Sequence, residues 1–218
     1  MFFKNIIFSN KFKNFTIISL LLFGFILFNA LSYVSAVSSN ISNNLFRLHV
    51  IANSNSDADQ NLNYIVRDKV LEYVNSYYKS TTKEELVNNL NLDAIRKIAQ
   101  ETIYDNGYSY NVSVELGNFK FPTKTYGDIS LPAGFYDALR IKIGNAEGKN
   151  WWCVMFPPLC FVDVSSGIVP DSSKEILQKN LDSEEFELIS ESSSEVKFKF
   201  KIVELLQNIS TELASLTK

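Results

Sequence analysis

The chain has one histidine, two cysteines and two tryptophans among its 218 residues. A structural zinc site normally needs four ligands with close pairs such as C-x-x-C. Cys153 and Cys160 have six residues between them and His49 is remote from both, so no metal site or other cofactor is expected. A thioredoxin-like centre needs C-x-x-C at a helix N-terminus, and the two cysteines have neither. Any Ser/His or Cys/His pair would have to use His49. No G-x-S-x-G, H-E-x-x-H or Walker pattern occurs, and His49 shares the outward face of its predicted strand with Arg47. These absences leave the enzyme reading without support. Lysine and arginine are not clustered and the net charge is -3. Nucleic acid, which needs a concentrated basic surface, is therefore excluded as the main partner. Hydrophobic residues at 46% and charged residues at 21% describe an ordinary packed domain.

What is present is clearest at the N-terminus. Lys4, Lys11 and Lys13 precede an uncharged apolar run from Phe15 to Leu31. Val34 and Ala36 then occupy the small-residue positions that precede a signal-peptidase cut. Residues 1–36 are expected to be an export signal cleaved after Ala36. The alternative is an uncleaved anchor, since the run is near the lower length limit for a membrane span. No second hydrophobic span follows, so membrane contact is expected only through this segment.

Residues 37–44 read as a polar linker and 45–170 as the core domain. Phe46 to Ile51 alternates as a strand with Phe46, Leu48 and Val50 on one face. Ser56 and Asp59 form a capping box opening a helix whose stripe runs through Leu62, Val66, Val70 and Val74. Thr82 and Glu85 open a second helix. Asp93 is expected to cap a third that stops at Gly107. Period-two alternation from Tyr108 to Leu116 predicts a strand, turn signals fill 117–134, and Tyr136–Ile143 predicts another strand. A hairpin loop at Asn145–Lys149 would lead into a strand from Trp151. Residues 171–218 read as a mainly helical appendage, with 196–202 undecided between strand and helix. The expected fold is α+β, a small mostly antiparallel sheet with helices packed on one face.

Both tryptophans and both cysteines fall within WWCVMFPPLC, residues 151–160. The cysteines are either a disulfide, which persists in an exported protein and which Pro157-Pro158 would help to close, or two buried thiols. Adjacent tryptophans on a strand point to opposite faces. One enters the core with Phe156, and the other is free to join Pro157, Pro158 and Leu159 as an apolar binding protrusion.

The run Arg47-Leu48-His49-Val50-Ile51-Ala52-Asn53-Ser54, the run Leu131-Pro132-Ala133-Gly134 and the block from Gly148 to Asp163 resemble the stage II sporulation protein R family of endospore-forming Firmicutes. That resemblance implies a secreted sporulation signal rather than an enzyme. Such proteins are exported from the forespore into the intermembrane space. There they trigger a membrane-embedded aspartic protease, stage II sporulation protein GA, which processes the sigma-E precursor in the mother cell. The expected protease contacts are Trp151, Trp152, Phe156, Pro157, Pro158 and Leu159 as apolar anchor, with Arg47, His49 and Asn53 as polar contacts. The alternative is an exported structural or envelope-binding module with no signalling role.

Overall fold

A computed structural model of the chain describes residues 10–77, 82–160 and 169–190. Helix α1 (Asn10–Asn43) opens the chain, and two compact units divide between Val37 and Ser38. In the first unit, the stretch Phe12–Asn29 is long and apolar enough to cross a membrane, and its side chains are exposed.

The last turns of α1 belong to the second unit. Residues 37–44, expected as a polar linker, are helical to Asn43, with Ile41 fully buried and Ser38 and Ser42 nearly so. Asn40 Nδ2 donates to both carboxylate oxygens of Glu185 at 2.7 and 2.8 Å. Lys83 Nζ donates to the Asn43 carbonyl at 2.7 Å and pairs with Asp137 at 2.7 Å. The serine and asparagine content that suggested a linker supplies these polar anchors around one apolar residue.

The second unit is α+β. Its main sheet holds β2 (Val112–Phe121), β5 (Gly134–Ile143), β1 (Phe46–Ile51) and β6 (Asn150–Phe156) in the order β2-β5-β1-β6. β1 runs parallel to β5, and the other two pairings are antiparallel. The expected β5–β6 hairpin is therefore not one, because β1 lies between the two strands. The connecting loop instead pairs with the end of β1: Gly148 N–H donates to the Ala52 carbonyl at 2.9 Å and Glu147 N–H to the Asn53 carbonyl at 3.2 Å. A Cβ on Gly148 would collide with the Ser54 carbonyl, so this close approach requires glycine.

α2 (Asp57–Tyr77), α3 (Lys83–Asn89) and α4 (Leu92–Asp105) supply the helices of this unit's core. Ser56 Oγ accepts from Asp59 N–H at 3.2 Å and Thr82 Oγ1 from Glu85 N–H at 3.1 Å, as the capping boxes predict. α4 is capped by Asn91, whose Oδ1 accepts from Ala94 N–H at 3.0 Å, and not by Asp93, which sits inside the first turn. Gly107, at φ +82°, ends the helix. Leu62, Val66 and Val70 of α2 and Ile95, Ala99 and Ile103 of α4 pack on Leu48, Val50, Leu139, Ile141 and Val114. Each fully buried Val, Leu or Ile here is worth roughly 1.5–3 kcal/mol.

The strand predicted from Tyr108 begins at Val112 and runs on to Phe121. The turn-rich stretch beyond it folds into a small antiparallel hairpin, β3 (Lys124–Tyr126) and β4 (Ile129–Leu131). Asp128 in its turn accepts from Val169 N–H at 3.0 Å and from Lys174 Nζ at 2.5 Å. This joins the hairpin to α5 (Asp171–Asn180), and α6 (Ser183–Ser190) lies against β4. The undecided segment 196–202 and the helix expected after it lie outside the described residues.

Candidate functional site

β6 is an edge strand, and its two tryptophans leave by opposite faces. Trp151 turns to the helix side. The Tyr64 ring of α2 meets it edge-on at 5.4 Å, and the Arg67 guanidinium sits 4.2 Å above its ring. Trp152 turns to the other side and stacks on His49 at 3.7 Å with an interplanar angle of 18°, while Phe121 packs edge-on at 4.7 Å. His49 Nε2 bonds Asn150 Oδ1 at 2.7 Å. An amide oxygen only accepts, so Nε2 carries a proton. Burial drives the His49 pKa down to about 4 against the opposing Asn150 bond, with Arg140, Arg47 and Lys142 adding to the depression.

The expectation that Arg47 and His49 face outward does not hold. Arg47 has no exposed surface and His49 is 5% exposed, because Phe121, Tyr136 and the β3–β4 hairpin cover that face of β1. The Arg47 guanidinium lies 4.2 Å from the Phe121 ring centre and 4.7 Å from that of Tyr136, both within cation–π range. Its Nη2 donates to Tyr126 Oη at 2.6 Å, and Tyr126 Oη donates onward to the Trp152 carbonyl at 3.1 Å. Arg47 Nε and Nη1 have no partner among the described residues. Burial raises the phenol pKa values of Tyr126 and Tyr136 against the nearby guanidinium, so both rings are neutral and no tyrosinate balances the Arg47 charge.

Asn53 is also held internally. Its Nδ2 donates to Asp59 Oδ2 at 2.9 Å and its Oδ1 accepts from Asn145 N–H at 2.9 Å. It latches the end of β1 to the start of α2 and to the β5–β6 connection. The three polar residues picked out from the sequence thus share one strand and its exit: His49 and, through Tyr126, Arg47 reach β6, while Asn53 holds the connection that leads into it.

Cys153 and Cys160 form a disulfide with their Cα atoms 5.1 Å apart. The Leu159 N–H donates to the Val154 carbonyl at 3.1 Å, so the chain folds back over the outer edge of β6. Phe156, Pro157 and Leu159 are buried, and Pro158 is exposed. Ser173 Oγ of α5 donates to the Pro158 carbonyl at 3.0 Å.

A cavity of about 570 Å³ lies along this edge. Its walls come from α2 (Gln60, Asn63, Tyr64), the β3 region (Lys124 to Gly127), the start of β6 (Lys149 to Cys153) and the Leu159-Cys160 turn. No carboxylate lines it among the described residues, so the paired acids of a hydrolase are not found there. The α2 residues and Lys124, Tyr126 and Lys149 were not singled out from the sequence. Tyr64 at 40% exposure reads as a solvated helix position, and only the pairing of β6 beside β1 brings it to Trp151.

A model of the stage II sporulation protein R family matches residues 42–166, the span holding β1 to β6 and the whole Trp-Trp-Cys block. Stage II sporulation protein R of Bacillus subtilis (strain 168) is 42% identical over 130 residues, which cover 58% of this chain and 58% of that protein. The chain thus spans well under two thirds of the relative's length. No solved structure matches. The matched half and more of the sequence, centred on the sheet and its edge cavity, makes this chain a member of the stage II sporulation protein R family.

Proposed function

We propose that the chain is an exported sporulation signal that activates a membrane-embedded aspartic protease, stage II sporulation protein GA, so that the sigma-E precursor is processed in the mother cell. The single observation that carries the reading is family membership over the folded core, from residue 42 to residue 166. The apolar stretch Phe12–Asn29 supports export, and the signal acts in the space between forespore and mother cell. Cleavage after Ala36 would fall one residue before the unit boundary at Val37 and Ser38. Such a cut leaves Asn40, Ile41 and their anchors with the folded unit. The protein works by binding, and the surface it offers is the edge of β6 with Trp151, Trp152 and Pro158. Arg47, His49 and Asn53 position that edge. To activate, it must bind the active state of the protease more tightly than the inactive state.

Co-expression of this chain with the protease and the sigma-E precursor in a non-sporulating host tests the reading, with precursor cleavage followed by immunoblot. Cleavage should require this chain and its export segment. With all three proteins present and this one exported, absence of cleavage would favour an envelope-binding module instead.

A further inference from the structure

Beyond membership and signalling, the cavity along β6 carries marks of a particular ligand. Asn63 is 1% exposed and lines it, yet its Oδ1 has no hydrogen-bond partner among the described residues. Trp151, also in the lining, has a buried Nε1–H with no acceptor. One group lacks a donor and the other an acceptor, and a buried polar atom left in that state is costly. A peptide unit supplies one N–H and one C=O together and can satisfy both as the two side chains turn towards it.

Charge selects among peptides. Lys124 and Lys149 line the cavity, and among the described residues no carboxylate lines it or pairs with either lysine. A glycan would meet the aromatic rings but leave both cations unanswered. The chain's own alternating segment 196–202 carries Lys197, Lys199 and Lys201, the wrong sign for this groove. Nor is the ligand simply an added strand, because two outward carbonyls of β6 are already taken: that of Trp152 by Tyr126 Oη and that of Val154 by Leu159 N–H.

We propose that this cavity binds an extended acidic peptide segment of a partner protein. Its backbone is held by Asn63 and Trp151, its carboxylates by Lys124 and Lys149, and its apolar side chains rest on Tyr64 and Trp152. The proposal rests on the signalling reading, in that it takes the ligand to be part of a protein partner.

Trp151 and Trp152 are the chain's only tryptophans, so their emission reports occupancy directly. The purified full-length chain in detergent micelles is titrated with a blocked heptapeptide alternating valine and glutamate, with its lysine counterpart, and with a disaccharide-peptide fragment of peptidoglycan. The glutamate peptide should give a saturable change and bind about tenfold more tightly than the lysine peptide, the worth of two rim ion pairs. A Lys124→Glu/Lys149→Glu double variant should reverse that order, and Lys149→Glu alone, at an exposed position, should narrow it. Peptides indistinguishable by charge, saturation by the peptidoglycan fragment alone, or no saturable change with any probe would overturn the proposal. The co-expression assay separates the two readings. If the wild-type chain and the double variant trigger equal cleavage, docking fails and signalling stands. If the wild-type chain triggers none, signalling fails, and the titration still decides docking.

Discussion

Acidification should weaken this fold through His49 before it does so through the carboxylates. The imidazole is stacked on Trp152 at 3.7 Å, and its Nδ1 is buried without a partner. A second proton would therefore be added in a site that offers it no acceptor and holds Arg47, Arg140 and Lys142 nearby. The folded-state pKa is about 4 against 6.5 for a free histidine. Because the folded value is depressed, the unfolded chain binds the proton first, and stability falls as pH drops from about 6.5 towards 4. Between pH 7 and pH 5 the linkage amounts to about 2 kcal/mol. Glu115 is held below the usual carboxylate range by its bonds to Arg140 and Lys142. The assay is urea unfolding of the full chain at the two pH values, beside a His49→Phe variant that keeps a ring on Trp152 and carries no proton. The wild-type chain should lose about 2 kcal/mol more than the variant. Equal losses would show that His49 is not held neutral by its surroundings, and the account of that face of β1 would be wrong.

Three further outcomes follow from the same packing. Arg47→Met should cost less than about 1 kcal/mol, since an apolar chain suits the Phe121–Tyr136 site and removes a charge with two unpaired nitrogens. Arg47→Ala should cost about 3 kcal/mol or more by leaving a cavity, and the reverse order in thermal melts would refute this. Replacing Cys153 and Cys160 by alanine should lower stability by about 2–3 kcal/mol, the chain-entropy value for a short loop; unchanged denaturation midpoints with and without reductant would contradict it. Gly148→Ala should destabilise by about 1–3 kcal/mol, because its Cβ would meet the Ser54 carbonyl and lie 2.8 Å from Ala52 Cβ. A variant as stable as the parent would mean that the β5–β6 connection does not sit against that turn.

Much of this fold was legible where a local pattern met a local rule. The caps at Ser56 and Thr82, the stripe of α2 and the stop at Gly107 each depend on residues a few positions apart. The order of strands is not local. β1 alternates Phe-Arg-Leu-His-Val-Ile, which reads as one buried face and one solvated face, yet both faces are covered. Long-range pairing places this strand between β5 and β6, and the hairpin 124–131 closes over its polar side. Arg47 therefore reads as a surface cation until Phe121, Tyr126 and Tyr136 are brought around it, from 74 to 89 positions further along. The Trp-Trp-Cys block stood out through composition alone, and its disulfide was one of two readings left open. Asn63 and Tyr64 carried no sequence signal, because helix positions beside an edge strand look solvated until the edge is placed. The linker reading of 37–44 erred for a related reason, as Ile41 is the only large apolar residue in a polar run and its burial depends on distant partners.

The edge of β6, proposed as the surface that meets the protease, is open to a direct test. It is tested most directly by site-specific photo-crosslinking in the co-expression host, with the crosslinker placed in turn at Lys149, at Pro158 and at Tyr104. The first two are exposed beside the β6 cavity. Tyr104, 54% exposed, lies on α4, which packs on β2 at the other edge of the sheet. Adducts with the protease are expected from positions 149 and 158 and none from 104. Adducts from position 104 alone, or none from 149 and 158 while precursor cleavage proceeds, would contradict it.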